Sequence, residues 1–329
     1  MIEDAFGFDL LDESDLLSLP GLRGWLLRRI PAFLALALEV ARRRRNYDVV
    51  VSWSEKHTVA IAMILALLPT RPRHLALLFW ISKPVVRIPL RLFRSGVDRV
   101  ITWSSVQRDV AVGRVGFKPD EIVLVHHPVD EEFFAPVETE RRILFSAGST
   151  QRDFPTLIEA VRTIDMPLRI AASVVVELRA LRMGVVDVRD QADLPSNVTI
   201  APLEPEELRA AYASARVVVV PLQPTDIDAG VSVILEAMAM GRPVVVSRTV
   251  GQVDVIRDGV TGTYVEPGDP VALRMVIESL LNDPKMAEAM GARAREYVLV
   301  NHRVEDFADR VRSEAHGLAG ATSGPPRAR

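Results

Sequence analysis

Short β-branched runs alternate with stretches of helical periodicity along most of the chain, the rhythm of parallel sheets joined by crossover helices. In the first half the pattern predicts strands over Asp48–Trp53, His74–Trp80, Arg99–Trp103 and Glu121–His126. Helices are predicted between and before them over Gly24–Arg45, His57–Leu68 and Val85–Arg94. In the second half strands are expected at Arg142–Ala147, Leu168–Ala172, Asn197–Ala201, Val217–Pro221 and Pro243–Ser247, with a short one near Thr263–Val265. Runs such as "RVVVVPL" are apolar at every position, as a strand covered on both faces should be. The expected fold class is α/β, with two doubly wound, Rossmann-like domains.

The rhythm pauses at "HHPVDEEFFAPVETERR", where prolines and acids cluster, so the linker is expected at about 129–140. The predicted organisation is a first domain over 1–135, a second over 136–303, and a C-terminal helix and tail over 304–329 that packs back on the first domain. Helices Pro270–Leu281, Pro284–Val300 and Val304–Leu318 lead to the tail "GATSGPPRAR", which reads as disordered. The opening, "MIEDAFGFDLLDESDLLSLPGLRGW", is acidic and poor in β-branched residues. Either the usual first strand is absent or "FGFDLL" is a poor substitute for it, and the first domain reads as shortened.

Composition narrows the chemistry. The 329 residues include no cysteine, which removes disulfides, thiol nucleophiles and cysteine-metal sites and fits a reducing cytoplasm. The six histidines show no metal-ligand spacing, and no metal is expected. The acidic N-terminus lacks the basic region of a signal peptide. Charge is uneven: Gly21 to Lys118 carries 18 Lys+Arg against 5 Asp+Glu, net +13, so the remainder is net −16. A basic half suits phosphate-bearing or membrane-surface partners, and a solvated basic face is the plainer alternative. Nucleic acid is not expected, because no helix-turn-helix or RNA-binding signature accompanies the charge. No G-x-G, Walker A or G-x-S-x-G sequence occurs, so nicotinamide, P-loop and α/β-hydrolase readings lose their main support.

The stretch "DIDAGVSVILEAMAMGRPVVVS" (226–247) carries the chemistry. It follows a buried strand ending at Pro221, and its helix is expected from Ala229–Gly230 to Met240, with Gly241 and Pro243 as stop signals. The site is thus a strand-loop-helix turn at the carboxyl edge of a parallel sheet, where such folds bind ligands. The mouth Ala229, Gly230, Val231, Ser232 offers small residues, backbone N–H groups and a hydroxyl, a seat for a diphosphate. Glu236 lies among apolar neighbours and needs partners, either a structural donor or ligand hydroxyls. Asp228 is either a ligand group or the helix N-cap. The "DID" pattern is too common to imply a metal.

These residues carry a resemblance. "AGVSVILEAMAMGRPVVVS", "GQVDVIRDGVTGTYVEPGD" and "LLNDPKMAEAMGARAREYV" together resemble the C-terminal half of retaining, nucleotide-sugar-dependent glycosyltransferases of the GT-B fold, family four. "ILFSAGSTQRDFPTLIEAV" is similar to the family's first C-domain strand, donor loop and helix, and "DRVITWSSVQRDV" and "EIVLVHHPVDEEFF" to the end of its N-domain. The resemblance implies that Glu236 holds the ribose of a nucleotide diphosphate sugar and that Asp228, one methylene shorter than the family's Glu, faces the sugar. Ala229 to Ser232 would cradle the diphosphate, and the base would lie between Ile200 and Leu203. Arg152, in the loop opened by Gly148, would clamp phosphate, whereas Asp153 stands where a Lys is expected. No cofactor beyond the donor substrate is implied.

On the acceptor side, Trp53 and Trp80 stand where the family often has histidines, with His57 and Lys83 nearby but out of register. The implied reaction moves a hexosyl group, with retention, to an unidentified glycan or lipid-linked acceptor. The alternative is a donor-binding protein without transferase activity. In "VVRIPLRLFR", Arg87, Arg91 and Arg94 have helical spacing, with Pro89 expected to limit the helix to its flanks. Cytoplasmic location with peripheral contact to an anionic membrane is one reading of this basic half, and a core helix with basic ends is the other.

Overall fold

The computed structural model describes residues 7–172, 175–176, 186–187 and 194–320. The expected disordered tail lies outside the described residues from 321 onward. The chain divides into two units, Met1–His126 with Glu305–Arg329, and His127–Val304.

In the first unit, α1 (Glu13–Ser18), α2 (Gly21–Leu27) and α3 (Ala32–Arg43) precede the sheet. The single helix expected over Gly24–Arg45 is therefore two, because Pro31 cannot donate to the ladder and starts α3 afresh. Then follow β1 (Val49–Trp53), α4 (Glu55–Ala66), β2 (Arg73–Leu77), α5 (Pro84–Leu92), β3 (Arg99–Thr102), α6 (Ser105–Val110) and β4 (Ile122–Leu124). Among the described residues no strand precedes Val49, so "FGFDLL" does not substitute for one. The helix α5 runs through Pro89, contrary to expectation, and Arg94 lies beyond it in a 3₁₀ turn, bonded to Glu121 at 3.0 Å.

The four strands are parallel and lie in the order β1-β2-β3-β4. Each crossover steps the same way, so right-handed connections place all the linking helices on one face. Side-chain alternation confirms this. Ala76 and Leu78 pack with Ala62, Val86 and Leu90, whereas Leu75, Leu77 and Ile101 face Phe307, Val311, Ala315 and Leu318. The second helical layer thus comes from the C-terminal helix α12 (Val304–Gly320).

The second unit holds β5 (Ile143–Ala147), α7 (Phe154–Val161), β6 (Leu168–Ala171), β7 (Val198–Ala201), α8 (Pro205–Ser214) and β8 (Ala215–Val220). It continues with α9 (Val231–Ala239), β9 (Val244–Ser247), β10 (Thr263–Val265), α10 (Pro270–Asn282) and α11 (Pro284–Asn301). Its parallel sheet has the order β10-β9-β8-β5-β6-β7. Numbered within the unit this is 3-2-1-4-5-6, the doubly wound dinucleotide order. The strand order reverses between β5 and β8, and ligands of such sheets sit outside the carboxyl ends at that point.

The unit boundary falls at His126, earlier than the sequence reading placed it. The segment after it packs on the second unit: Val129 bridges Arg303, His302 Nδ1 lies 2.8 Å from the His127 carbonyl, and Phe134 meets Tyr212 edge-on.

Candidate functional site

The loops leaving β5 and β8 meet at this reversal, where Arg152 and Leu222 form an isolated bridge. The Arg152 side chain is buried, donating from Nε to the Ala147 carbonyl at 2.9 Å and from Nη1 to the Thr150 carbonyl at 2.8 Å. Gly148 makes room for it, while Gly230 spares Val220, whose Cγ1 a Cβ at 230 would meet at 2.7 Å. A Cβ on Gly148 would stand 2.5 Å from Nη2, and one on Gly230 would stand 3.4 Å from both Nη atoms. Both glycines also have positive φ, 87° and 83°, a backbone that L residues avoid. Burial lowers the Arg152 pKa to about 10, against the opposing pull of Tyr212 and Glu236, so the group stays cationic at neutral pH.

Asp153 is the N-cap of α7, taking Thr156 N at 3.3 Å and Thr156 Oγ1 at 2.7 Å. Its identity therefore has a structural reason. Asp228 is buried, and its carboxylate does not cap α9: the N-cap is Gly230, and no side chain caps that helix. The N–H groups of a first helical turn lack intrahelical partners, so this mouth can receive an anion. Gln252 steadies it by donating Nε2 to the Ala229 carbonyl at 3.0 Å. Ala229 and Val231 are buried, and Ser232 is exposed in the first turn.

Glu236 lies one turn further along α9. Its Oε2 accepts from the Tyr212 hydroxyl at 2.6 Å, so it has a structural donor. Burial raises the Glu236 pKa to about 7, with the Tyr212 bond and the Arg152 charge pulling it back. The same burial, reinforced by the Glu236 charge, pushes the Tyr212 phenol well above its ordinary range. Tyr212 is fully buried, edge-on to Phe145 and Phe134. Sequence reasoning missed both Tyr212 and the helix α8 that carries it. The signal was present: Glu204 and Glu207 form a capping box around Pro205, at the first helical position.

Ile200, on β7, packs against the core of the second unit, and Leu203 is half-buried in the turn before α8. Arg152, Gly148, Gly230 and Glu236 are thus brought together electrostatically or by contact with Arg152. For Ile200 the core packing competes with a ligand role.

The tryptophan group of the first unit has other contacts. Trp53 is 47% exposed and tilts against Phe307 at 5.8 Å, and Lys83 Nζ lies 3.3 Å above the Trp80 ring. His57 Nδ1 lies 3.1 Å from Ser54 Oγ. The backbone around Trp80 is tied down: Glu55 Oε1 accepts from Phe79 N and Trp80 N, at 3.2 and 2.9 Å. Gln107 Oε1 accepts from Ile81 N and Ser82 N, at 2.8 and 2.9 Å.

Residues 130–297 match the family model described as "Glycosyl transferases group 1". The sulfoquinovosyl transferase SQD2 of Arabidopsis thaliana is 30% identical over 231 residues, covering 66% of this chain and 44% of that protein. D-inositol 3-phosphate glycosyltransferase 1 of Catenulispora acidiphila is 27% identical over 226 residues, covering 62% and 53%. The chain spans about half the length of these curated relatives. Among solved structures, sucrose-phosphate synthase from Thermosynechococcus elongatus superposes with a TM-score of 0.74 at 19% identity, covering 90% of this chain and 79% of that one. HepE from Anabaena, solved with UDP-glucose, gives 0.71 at 16% identity, covering 91% and 90%. The two parallel-sheet units match the GT-B fold of these structures, and the family model spans half the chain: it belongs to the group 1 glycosyltransferase family.

Proposed function

We propose that this chain transfers a hexosyl group, with retention, from a nucleotide diphosphate sugar, and that the second unit holds the donor. One observation carries this reading. A charged, buried Arg152, the uncapped mouth of α9 and a Tyr212-oriented Glu236 lie at the strand-order reversal of a doubly wound sheet. In it Glu236 accepts from the ribose hydroxyls, the first turn of α9 and Arg152 face the diphosphate, and Asp228 faces the sugar. The bond from C1 to the phosphate oxygen breaks as a bond from C1 to the acceptor oxygen forms on the same face. The acceptor's proton passes to the leaving phosphate oxygen. Arg152 and the helix mouth stabilise the charge that develops there, and no metal is required.

The acceptor side belongs to the first unit. Among the described residues no helix is long and apolar enough to cross a membrane. The exposed face of α5 carries Val85, Ile88 and Leu92, with Arg91 exposed beside them. An apolar stripe with basic neighbours suits the surface of an anionic membrane, which favours a lipid-linked acceptor and a cytoplasmic, peripheral protein. Asp153 favours a second reading, donor binding without transfer, because the loop then holds one cation where the family uses two.

Calorimetry with UDP-, GDP- and ADP-sugars on the wild type and Glu236→Gln, followed by donor turnover with lipid and glycan acceptors, separates the readings. Tight donor binding with neither transfer nor slow hydrolysis supports the second. Equal donor binding by Glu236→Gln and wild type removes the ribose role.

A further inference from the structure

The amino-end side of the second sheet, away from the donor loops, holds a cavity of about 730 Å³. Its walls are the segment leading into β5, the turn between α9 and β9, and one side of α11. Arg242 lines it and is only 2% exposed. Its Nε and Nη1 are buried and have no hydrogen-bond partner among the described residues. A buried cation without a partner is costly, so its presence needs a reason.

Capping of α9 does not supply one. The helix ends in a Schellman turn, with Gly241 N donating to the Met238 carbonyl at 3.0 Å and Arg242 N to the Ala237 carbonyl at 2.9 Å. Met240 N takes the Glu236 carbonyl at 3.0 Å, and Arg295 Nη1 takes that of Ala239. The terminal carbonyls are therefore satisfied without the Arg242 guanidinium. The position that Arg242 fills in this motif is, moreover, one that commonly makes an apolar contact.

A second cation converges on the first. Burial and then the charge of Arg141 lower the Arg242 pKa, to about 10, with Glu288 opposing, so Arg242 remains charged at neutral pH. Arg141 has only a 3.6 Å contact with Glu288, whose side chain is 63% exposed. A third guanidinium, Arg295, also lines the cavity but is engaged by the Ala239 carbonyl, which leaves Arg242 and Arg141 calling for an anion. Glu138, Glu288 and Glu296 are exposed among the lining residues and would repel a polyanion. Val137, Met240 and Leu299 supply apolar wall.

We propose that this cavity binds a small molecule with a single oxyanion group, phosphate or carboxylate, held by Arg242 and Arg141, and an apolar body against Val137, Met240 and Leu299. The site is separate from the donor loops and does not depend on the donor assignment.

Calorimetric titration of the full chain with hexyl phosphate and with hexanoate, at matched ionic strength, tests it and distinguishes the two anion types. Saturable binding of at least one probe is expected. Arg242→Met should weaken it at least about tenfold, which is about 1.4 kcal/mol. Arg242→Lys should weaken it less, and Arg152→Met, in the donor loop, should leave it unchanged. Without ligand, Arg242→Met should unfold at the wild-type temperature or above, because an unpaired buried charge has gone. Two outcomes overturn the proposal: neither probe binds the wild type, or binding is unchanged in Arg242→Met. If that variant does not fold, Arg141→Gln carries the same binding test.

Discussion

The two units share one sequence rhythm and differ in how their strands are ordered. In the second, the order reverses between β5 and β8, so two loops diverge from neighbouring strands and leave room for Arg152 and the α9 mouth. In the first, β1 to β4 step in one direction, so no reversal exists among the described strands. The backbone at its carboxyl edge is instead held by side chains of the same unit: Glu55 and Gln107 accept backbone N–H groups from Phe79 to Ser82. Identical β-α-β alternation therefore gives an open crevice in one unit and a tied-down edge in the other. Strand order, not strand content, makes the difference.

The largest effect should come from the group at the reversal. Arg152→Met is expected to lower donor turnover by about 10²–10³-fold, the usual loss when a preorganised donor to a developing anion is removed. Circular dichroism must show the fold retained, because the Ala147 and Thr150 carbonyls lose a donor. Trp80→Ala in the first unit should change donor affinity less than about twofold. A comparable loss of donor affinity from both would break the comparison.

Gly148→Ala comes next. The new Cβ meets Arg152 Nη2 at 2.5 Å on a backbone with φ of 87°. The strain is expected to cost about 1–3 kcal/mol of stability, measured by urea unfolding, and to displace the guanidinium. Donor affinity should fall with it. Unchanged stability and affinity would show that this glycine does not shape the site.

Glu236→Gln should weaken donor binding about tenfold, and the pH profile sharpens the assignment. Burial raises the carboxyl from 4.5 to about 7, so the folded chain keeps a proton that the unfolded chain releases between those values. The contribution to stability is full below about pH 4.5 and is lost as the pH rises through 7. Ribose binding needs the ionised form, so wild-type donor affinity should rise from pH 6 to 8. In Glu236→Gln the affinity profile should be flat from pH 6 to 8 and the stability profile should lose only this contribution, since buried His74 and His127 still titrate on unfolding; an affinity slope that persists in the variant would assign the titration to another group.

The smallest effect belongs to Trp53→Ala. Its loss of contact with Phe307 should cost about 1 kcal/mol, read from thermal unfolding, with donor affinity unchanged.

Much of this was legible from the chain. The apolar run of β8, the Gly241 stop and the mouth Ala229–Ser232 follow from period and turn chemistry, which are local. Arg152 and Glu236 could be singled out by type and by resemblance, and Glu236 was seen to need a partner. That the partner is Tyr212, 24 residues away, was not legible, because α8 is short and its polar first turn hides the helical period. Asp228 was readable as an N-cap because Asp favours that role, yet Gly230 holds it.

Two α/β halves, the strand positions to within a few residues and the small-residue mouth Ala229–Ser232 can be read from the chain alone, because periodicity and backbone preference act over a few residues. The strand order, the covering of the first sheet by α12, the Tyr212–Glu236 bond and the berth that Gly148 leaves for Arg152 emerge only in the folded chain. Those rest on packing between elements far apart in the chain, where burial changes what a charge can be and a single missing Cβ decides what can fit.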